Sequence, residues 1–291
     1  MPPSNAMPPV LHGFSAIAPN YDVILCDIWG VLHDGLRAHP GAGDALKRFR
    51  AGGGTVVLVS NAPRPSETVV PHLDQLGVIR EAWDGIVTSG DVTRAMLAAT
   101  DEPYFWLGPD RDAPLFDGFT HRAAPFEAAR MIVCSGLIDD TRETPADYAA
   151  MLASARSRAM RFLCANPDLI VERGNEIIYC AGALAEAYAD IGGEVLWAGK
   201  PHRPVYDSAL DVAASMRKAD TPLARVLAIG DALRTDVAGA HGIGIDSLFI
   251  ARGIHTHELG LADGPLTDAR LAAFLADAPE HPSAAMEKLV W

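Results

Sequence analysis

At 291 residues the chain has the length of one large domain or two. Hydrophobic residues make up 49% and charged residues 21%, which is globular composition and excludes a disordered chain. A formal net charge of -13 and a pI near 5.1 argue against non-specific binding to nucleic acid or to an anionic membrane. Any anionic substrate then needs local positive charge, from Lys200, Arg64 or a bound metal.

Residues 1–20 hold five prolines, no Lys or Arg and no long apolar run, and read as a flexible N-terminal arm, ordered near Phe14 by packing. No apolar stretch reaches the length of a membrane span. The four cysteines, Cys26, Cys134, Cys164 and Cys180, lack C-x-x-C spacing, so buried thiols in a reducing, cytoplasmic setting are expected. Val23–Cys26 is a short apolar run that ends at Asp27, with Gly30 three positions on. Such a run suits a strand buried on both faces of a parallel sheet, at whose carboxyl edge ligands bind. Asp27 there is a nucleophile, a metal ligand or a helix cap, and the strand alone does not choose.

A helix is expected over Pro40–Phe49, with Ala45, Leu46 and Phe49 on one face and Gly52–Gly54 as its stop. The strand Thr55–Val59 follows and ends in Ser60 and Asn61, a hydroxyl and amide that suit either a phosphate oxygen or a plain turn. Arg64 lies in the next turn, where it reaches phosphate or water, and Ser66 opens a helix through Leu76.

From 84 to 193 strands and helices alternate in a stretch long enough for a core of its own. Its strands are Ile86–Thr88, Tyr104–Leu107, Met131–Cys134, Arg161–Ala165 and Glu176–Cys180. Helices follow Asp91, Thr144 and Gly182. The segments Ser135–Asp140 and Asn166–Asp168 carry its candidate functional groups, and Asn166-Pro167-Asp168 equally forms an Asx turn with no ligand.

Three further strand-like runs follow: Glu194–Ala198 before Gly199-Lys200-Pro201, Arg225–Ile229 before Gly230-Asp231, and Leu248–Ile250. Asp236 stands in a helix start, where the dipole also favours a carboxylate. His255, His257 and Glu258 form only a weak zinc pattern. Helices are expected over Leu266–Ala276 and Ser283–Trp291. Parallel strands ending on one edge would gather Asp27, Ser60, Lys200, Asp231 and Asp236. A nucleophile, a hydroxyl, a cation and two more carboxylates are the parts of a magnesium-dependent phosphoryl-transfer centre.

The order Asp-x-x-Gly-Val-Leu, Ser-Asn, Gly-Lys-Pro and Gly-Asp-x-x-x-Thr-Asp resembles the haloacid dehalogenase-like hydrolases. Within them it is similar to the class IIA branch of nitrophenylphosphatase, pyridoxal-phosphate phosphatase and sugar-phosphatase type, from about Tyr21 to Arg252. The resemblance implies an α/β fold with a Rossmann-like, doubly wound parallel sheet core at 21–83 and 194–291. An inserted α/β cap would occupy 84–193. It implies Mg2+ held by Asp27, Asp231 and the backbone carbonyl of Trp29, with Asp236 orienting water or Lys200. Asp27, Ser60 and Lys200 would be catalytic, and Asn61, Arg64, Asn166 and Asp168 would meet substrate. The substrate class implied is a small phosphorylated metabolite, a sugar phosphate or similar. Family analogy alone points to a homodimer through the cap.

One position breaks the pattern. The family's second aspartate, two residues after the nucleophile, protonates the leaving oxygen, and here that position is Trp29. Indole neither gives nor takes a proton at useful acidity. His33 and Asp34 are the nearby candidates to replace it. The alternatives are a substrate whose leaving group needs no acid, or a protein that binds a phosphorylated metabolite in a regulatory role with a degenerate, weakly hydrolytic centre.

Overall fold

The structure, a computed structural model, describes residues 7–173 and 176–291. In chain order its strands are β1 (Val10–Leu11), β2 (Val23–Cys26), β3 (Thr55–Ser60), β4 (Gly85–Thr88), β5 (Tyr104–Leu107), β6 (Met131–Cys134) and β7 (Arg161–Cys164). They continue as β8 (Ile170–Arg173), β9 (Glu176–Tyr179), β10 (Glu194–Trp197), β11 (Val226–Gly230), β12 (Asp246–Ile250) and β13 (Ala284–Met286). Seven strands form one sheet in the order β1-β13-β12-β11-β2-β3-β4, and four form another in the order β10-β7-β6-β5. β8 and β9 pair as an antiparallel hairpin. The fold is α/β and Rossmann-like, built on parallel sheets.

β2 is buried at every position because both its neighbours, β3 and β11, run parallel to it and helices cover such sheets. The chain moves outward from β2 through β3 to β4 and later resumes on the other side with β11 and β12. The strand order therefore reverses between β2 and β11, the place where ligands collect in open α/β sheets. Cys26 is level with Ile229, so Asp27 and Asp231 leave the sheet at the same edge. At the opposite edge the Arg225 guanidinium donates to both carboxylate oxygens of Asp22, at 2.6 and 2.9 Å, and pins the two strand starts together.

The helix Pro40–Ala51 forms as the spacing predicts. Proline sits at its first position, where a missing N–H costs nothing, and Ala42, Ala45, Leu46 and Phe49 are buried on one face. Burial of Leu46 and Phe49 contributes roughly 1.5–3 kcal/mol each.

By contact density the chain divides into two compact units. The first comprises the chain up to Val59, Pro71–Ile86 and Ala209–Trp291; the second comprises Ser60–Val70 and Val87–Ser208. The second unit has its own core, in which Phe162, Leu184, Tyr188, Leu152 and Ile132 are buried together.

Four expectations change. The arm is not loose from Val10 onward: β1 pairs with β13, and Phe14 is fully buried between the rings of Phe49 and Trp291. Prolines read as loop, but at a sheet edge Pro9 needs to supply only a carbonyl, which accepts from Ala285 N–H at 3.0 Å. Residues 1–6 of that arm lie outside the described residues. β10 pairs with β7 in the four-stranded sheet and so does not join β2. β4, placed with the insert by its position, is instead an edge strand of the seven-stranded sheet. Ala284–Met286 is a strand and not a helix, because pairing with β12 and β1 overrides the helix preference of Ala and Met.

Candidate active site

In the first unit Asp27, Asp231 and Asp236 are all buried, and one carboxylate oxygen of each lies within 4.8 Å of the others. Asp27 stands directly after β2, with its N–H donating to Ile229 O at 2.8 Å. Asp231 follows β11, and its Oδ2 accepts from the N–H of Ile254 at 2.7 Å. Asp236 lies in a widened helical turn, in which Val237 N–H reaches back five residues to Ala232 O. Such turns occur often at functional sites. Its Oδ2 accepts from Ala232 N–H at 3.2 Å, so it caps this turn as well as joining the cluster.

Close backbone approach makes the cluster possible. A Cβ on Gly30 would fall 2.0 Å from Asp231 Oδ2, and one on Gly253 would fall 1.9 Å from the same atom. Like charges at this range repel by about 3.5 kcal/mol or more per pair at an effective dielectric of ~20. Three carboxylates in a buried, all-oxygen setting suit a hard divalent cation such as magnesium, which takes oxygen ligands. Among the described residues, this is the group of His, Cys, Asp and Glu side chains that converges in this way. His255 instead pairs with Glu258 at 3.0 Å and packs on Phe274, so the histidine loop is structural.

The loop after Asp27 turns tightly, with Gly30 N–H donating to His33 O at 2.9 Å. Trp29 is 48% exposed, and its ring stands edge-on to His33 at 5.2 Å between centroids. His33 is buried, and its Nδ1 accepts from Gly35 N–H at 3.0 Å. Burial, reinforced by His72 and His39 and opposed by Asp34, pushes its pKa down to about 4. The hydrogen bond agrees, since a proton on Nδ1 would face another N–H. Asp34 is held below the ordinary carboxyl range: burial alone would raise it, but the Leu36 and Arg37 amides that donate to Oδ1 at 2.9 Å outweigh that. Both environments thus favour the deprotonated form of these two candidates.

Ser60, Asn61, Arg64, Asn166, Asp168 and Lys200 all fall in the second unit. Asn61 is their hub. Its Nδ2 donates to Asp168 Oδ1 at 2.8 Å and to Lys200 O at 3.2 Å, while its Oδ1 accepts from Lys200 N–H at 2.8 Å. With both N–H groups and the oxygen engaged in this way, Asn61 positions Lys200 and Asp168. Lys200 itself is buried, and the Lys200–Pro201 peptide bond is cis. Ser60 Oγ accepts from Ala62 N–H at 3.1 Å, which is the turn its sequence allows.

Asn166 Oδ1 accepts from Asp168 N–H at 3.1 Å, so the Asx turn forms, and it delivers the Asp168 carboxylate to Asn61. Arg64 donates from Nε to the buried Asp112 at 3.2 Å and is otherwise half-exposed. Burial raises the Asp112 pKa against the opposing charges of Arg64 and Arg111. Two contributors were missed in the sequence. Ser89, fully buried, donates to the carbonyls of the Asn61 turn and contacts Ala165 O. Ile254, which holds Asp231, follows a strand of the same sheet, and that placement was the available signal.

Family models described as haloacid dehalogenase-like hydrolase and HAD-hydrolase-like match residues 24–119 and 197–278. The chain is similar to a haloacid dehalogenase-like family hydrolase from Brucella suis 1330, with 42% identity and a TM-score of 0.84. That match covers 97% of this chain and all (100%) of the other. It is 27% identical over 248 residues to a D-glycerol 3-phosphate phosphatase of Mycobacterium tuberculosis, covering 83% of this chain but 66% of that enzyme. It is 24% identical to an acid sugar phosphatase of Staphylococcus haemolyticus, covering 82% and 88% of the two chains.

Proposed function

The chain belongs to the haloacid dehalogenase-like hydrolases, and from that premise we propose that it is a phosphoric monoester hydrolase acting on a small phosphorylated metabolite. The observation that carries the reading is the buried trio of Asp27, Asp231 and Asp236 at the point where the strand order reverses. The phosphatase activities of the relatives support it.

In this reading an Asp27 oxygen attacks phosphorus, the bond to the leaving oxygen breaks, and an aspartyl-phosphate forms. Water then attacks that phosphorus, releases inorganic phosphate and restores the carboxylate. Asp27, Asp231 and Asp236, with the carbonyl of Trp29, would hold magnesium. When bound, the ion supplies positive charge that offsets the carboxylates and the phosphate oxygens. Lys200, fixed at its backbone by Asn61, adds charge of the same sign, and the Ser60 hydroxyl supplies a hydrogen bond to a phosphate oxygen. In this reading residues 84–193 form the cap, which excludes water, and Arg64 and Asp168 meet substrate. With Trp29 in place of an acid, the leaving group departs unprotonated and takes its proton from water.

The test is release of phosphate from p-nitrophenyl phosphate and a metabolite panel, with and without magnesium, beside Asp27→Asn. Metal-dependent release that vanishes in the mutant is expected; equal release by the mutant overturns the reading. Trp29 favours one other reading, a protein that binds a phosphorylated metabolite with little turnover. Saturable binding with no phosphate released from any substrate would establish that instead.

A further inference from the structure

We propose that Trp29 is a specificity-determining residue: its indole forms a fixed aromatic wall beside the nucleophile that selects phosphate esters with a planar, weakly basic leaving group. Such donors are aryl, enol or acyl phosphates, and simple alkyl phosphates are disfavoured. The inference rests on the hydrolase reading above and narrows its substrate class.

Position carries the first part of the argument. Trp29 is two residues after Asp27, and the residue that follows it, Gly30, abuts Asp231 Oδ2 so closely that a Cβ there would lie 2.0 Å away. The side chain at this loop position is bulky, and 48% of the residue is open to solvent. Immobility carries the second part. Gly35, at φ +85°, lies against the six-membered ring, and a Cβ there would stand 2.7 Å from Trp29 Cη2. His33 holds the indole edge-on, and its own ring is held by the Gly35 N–H. The indole is thus braced by its neighbours while nearly half of the residue stays exposed.

Chemistry supplies the third part. The imidazole and carboxylate of the same loop offer no strong acid to a departing oxygen. His33 Nδ1 accepts a backbone hydrogen bond, Asp34 Oδ1 accepts two, and Asp34 Oδ2 faces Arg37 at 3.6 Å. When an Asp27 oxygen bonds to phosphorus, the electron pair of the breaking P–O bond therefore leaves on oxygen as an anion. A phenolate, enolate or carboxylate accepts that pair readily and stacks on an aromatic face; an alkoxide does neither. Stacking favours an aromatic group by about tenfold in affinity. Lack of an acid disfavours alkyl esters by ~10²–10⁴-fold.

The experiment has two arms. The first measures kcat/KM over substituted phenyl phosphates of graded leaving-group acidity, with ethyl phosphate and glycerol 3-phosphate as alkyl members. A steep decline toward basic leaving groups is expected, alkyl esters trailing by about 100-fold or more. In Trp29→Asp the decline should flatten through a gain on the alkyl esters, and Trp29→Phe should keep it. Alkyl esters turned over as fast as phenyl esters by the wild-type protein overturn the proposal.

The second arm needs no turnover. Calorimetry with magnesium present should show phenylphosphonate bound about tenfold more tightly than methylphosphonate, with the difference gone in Trp29→Ala. Equal binding of the two by the wild-type protein, or a preference that survives in Trp29→Ala, overturns the proposal. Failure of every ester to hydrolyse would sink the hydrolase reading alone, and the phosphonate comparison would still decide the role of the indole.

Discussion

The Asp27 cluster and the Asn61 hub are built on opposite electrical terms. At the first, three carboxylates of like charge are brought within 4.8 Å of one another, and backbone amides hold those of Asp231 and Asp236. At the second, one neutral amide joins the backbone of Lys200 to the side chain of Asp168, with donors and acceptor matched. A cluster of repelling groups is poised for a ligand that relieves the repulsion. A saturated amide is poised for nothing further; it fixes the position of others. Two motifs that look alike as polar residues at strand ends therefore differ in build, one a set of like charges and the other a matched set of hydrogen bonds.

Substitutions can sharpen that contrast or break it. The largest expected effect is Asp27→Asn, which should lower phosphate release by roughly 10³-fold or more. Its thermal midpoint should stay within about 2–4 °C of wild type. A mutant that lost its fold would show that the cluster is architectural after all. Asn61→Ala should do the reverse and destabilise by about 3 kcal/mol, because it strands a buried N–H of Lys200, a carbonyl and a carboxylate oxygen. Urea unfolding measures this, and an unchanged midpoint would remove the hub from the account.

Next in size is a pH effect beside the cluster. His33 titrates near 4 in the folded protein and near 6.5 when unfolded, so between those values the unfolded chain binds more protons. Stability should accordingly fall as pH drops from about 6.5 to 4, by about 3 kcal/mol at most. His33→Gln should flatten this part of the curve; an equally steep curve would show that other groups cause it. The smallest effect belongs to Asp22, whose carboxyl Arg225 holds below its ordinary value and whose side chain is about one-third exposed. Asp22→Asn should cost no more than about 1 kcal/mol at pH 7. The depressed pKa places that contribution above pH ~3.9, so the difference between mutant and wild type should shrink as pH falls below it.

Legibility in the sequence followed the physics of each segment. β2 and β11 were readable because strands buried on both faces need unbroken apolar runs, and the aspartates that end them break those runs visibly. The helix at Pro40 was readable from its spacing and its proline. The sheet to which β10 belongs was not, because an apolar run ending in Gly-Lys-Pro looks the same whichever strand lies beside it. β13 was hidden for a related reason: Ala284, Ala285 and Met286 favour a helix locally, and only the edge of β12 makes them a strand. The role of Asn61 depends on Lys200, 139 positions away, a pairing that no local pattern contains.

The reversal of strand order between β2 and β11 also sets a timetable for the newborn chain. Asp22 and Arg225 are 203 positions apart, yet they anchor adjacent strands. At about 5–20 residues per second, a ribosome needs roughly 10–40 s to pass from one to the other. For that interval β2, apolar on both faces, can pair with β3 on one side while its other edge has no native neighbour. An unpaired strand edge is a template for aggregation, and a chain stopped before Val226 would carry this one permanently.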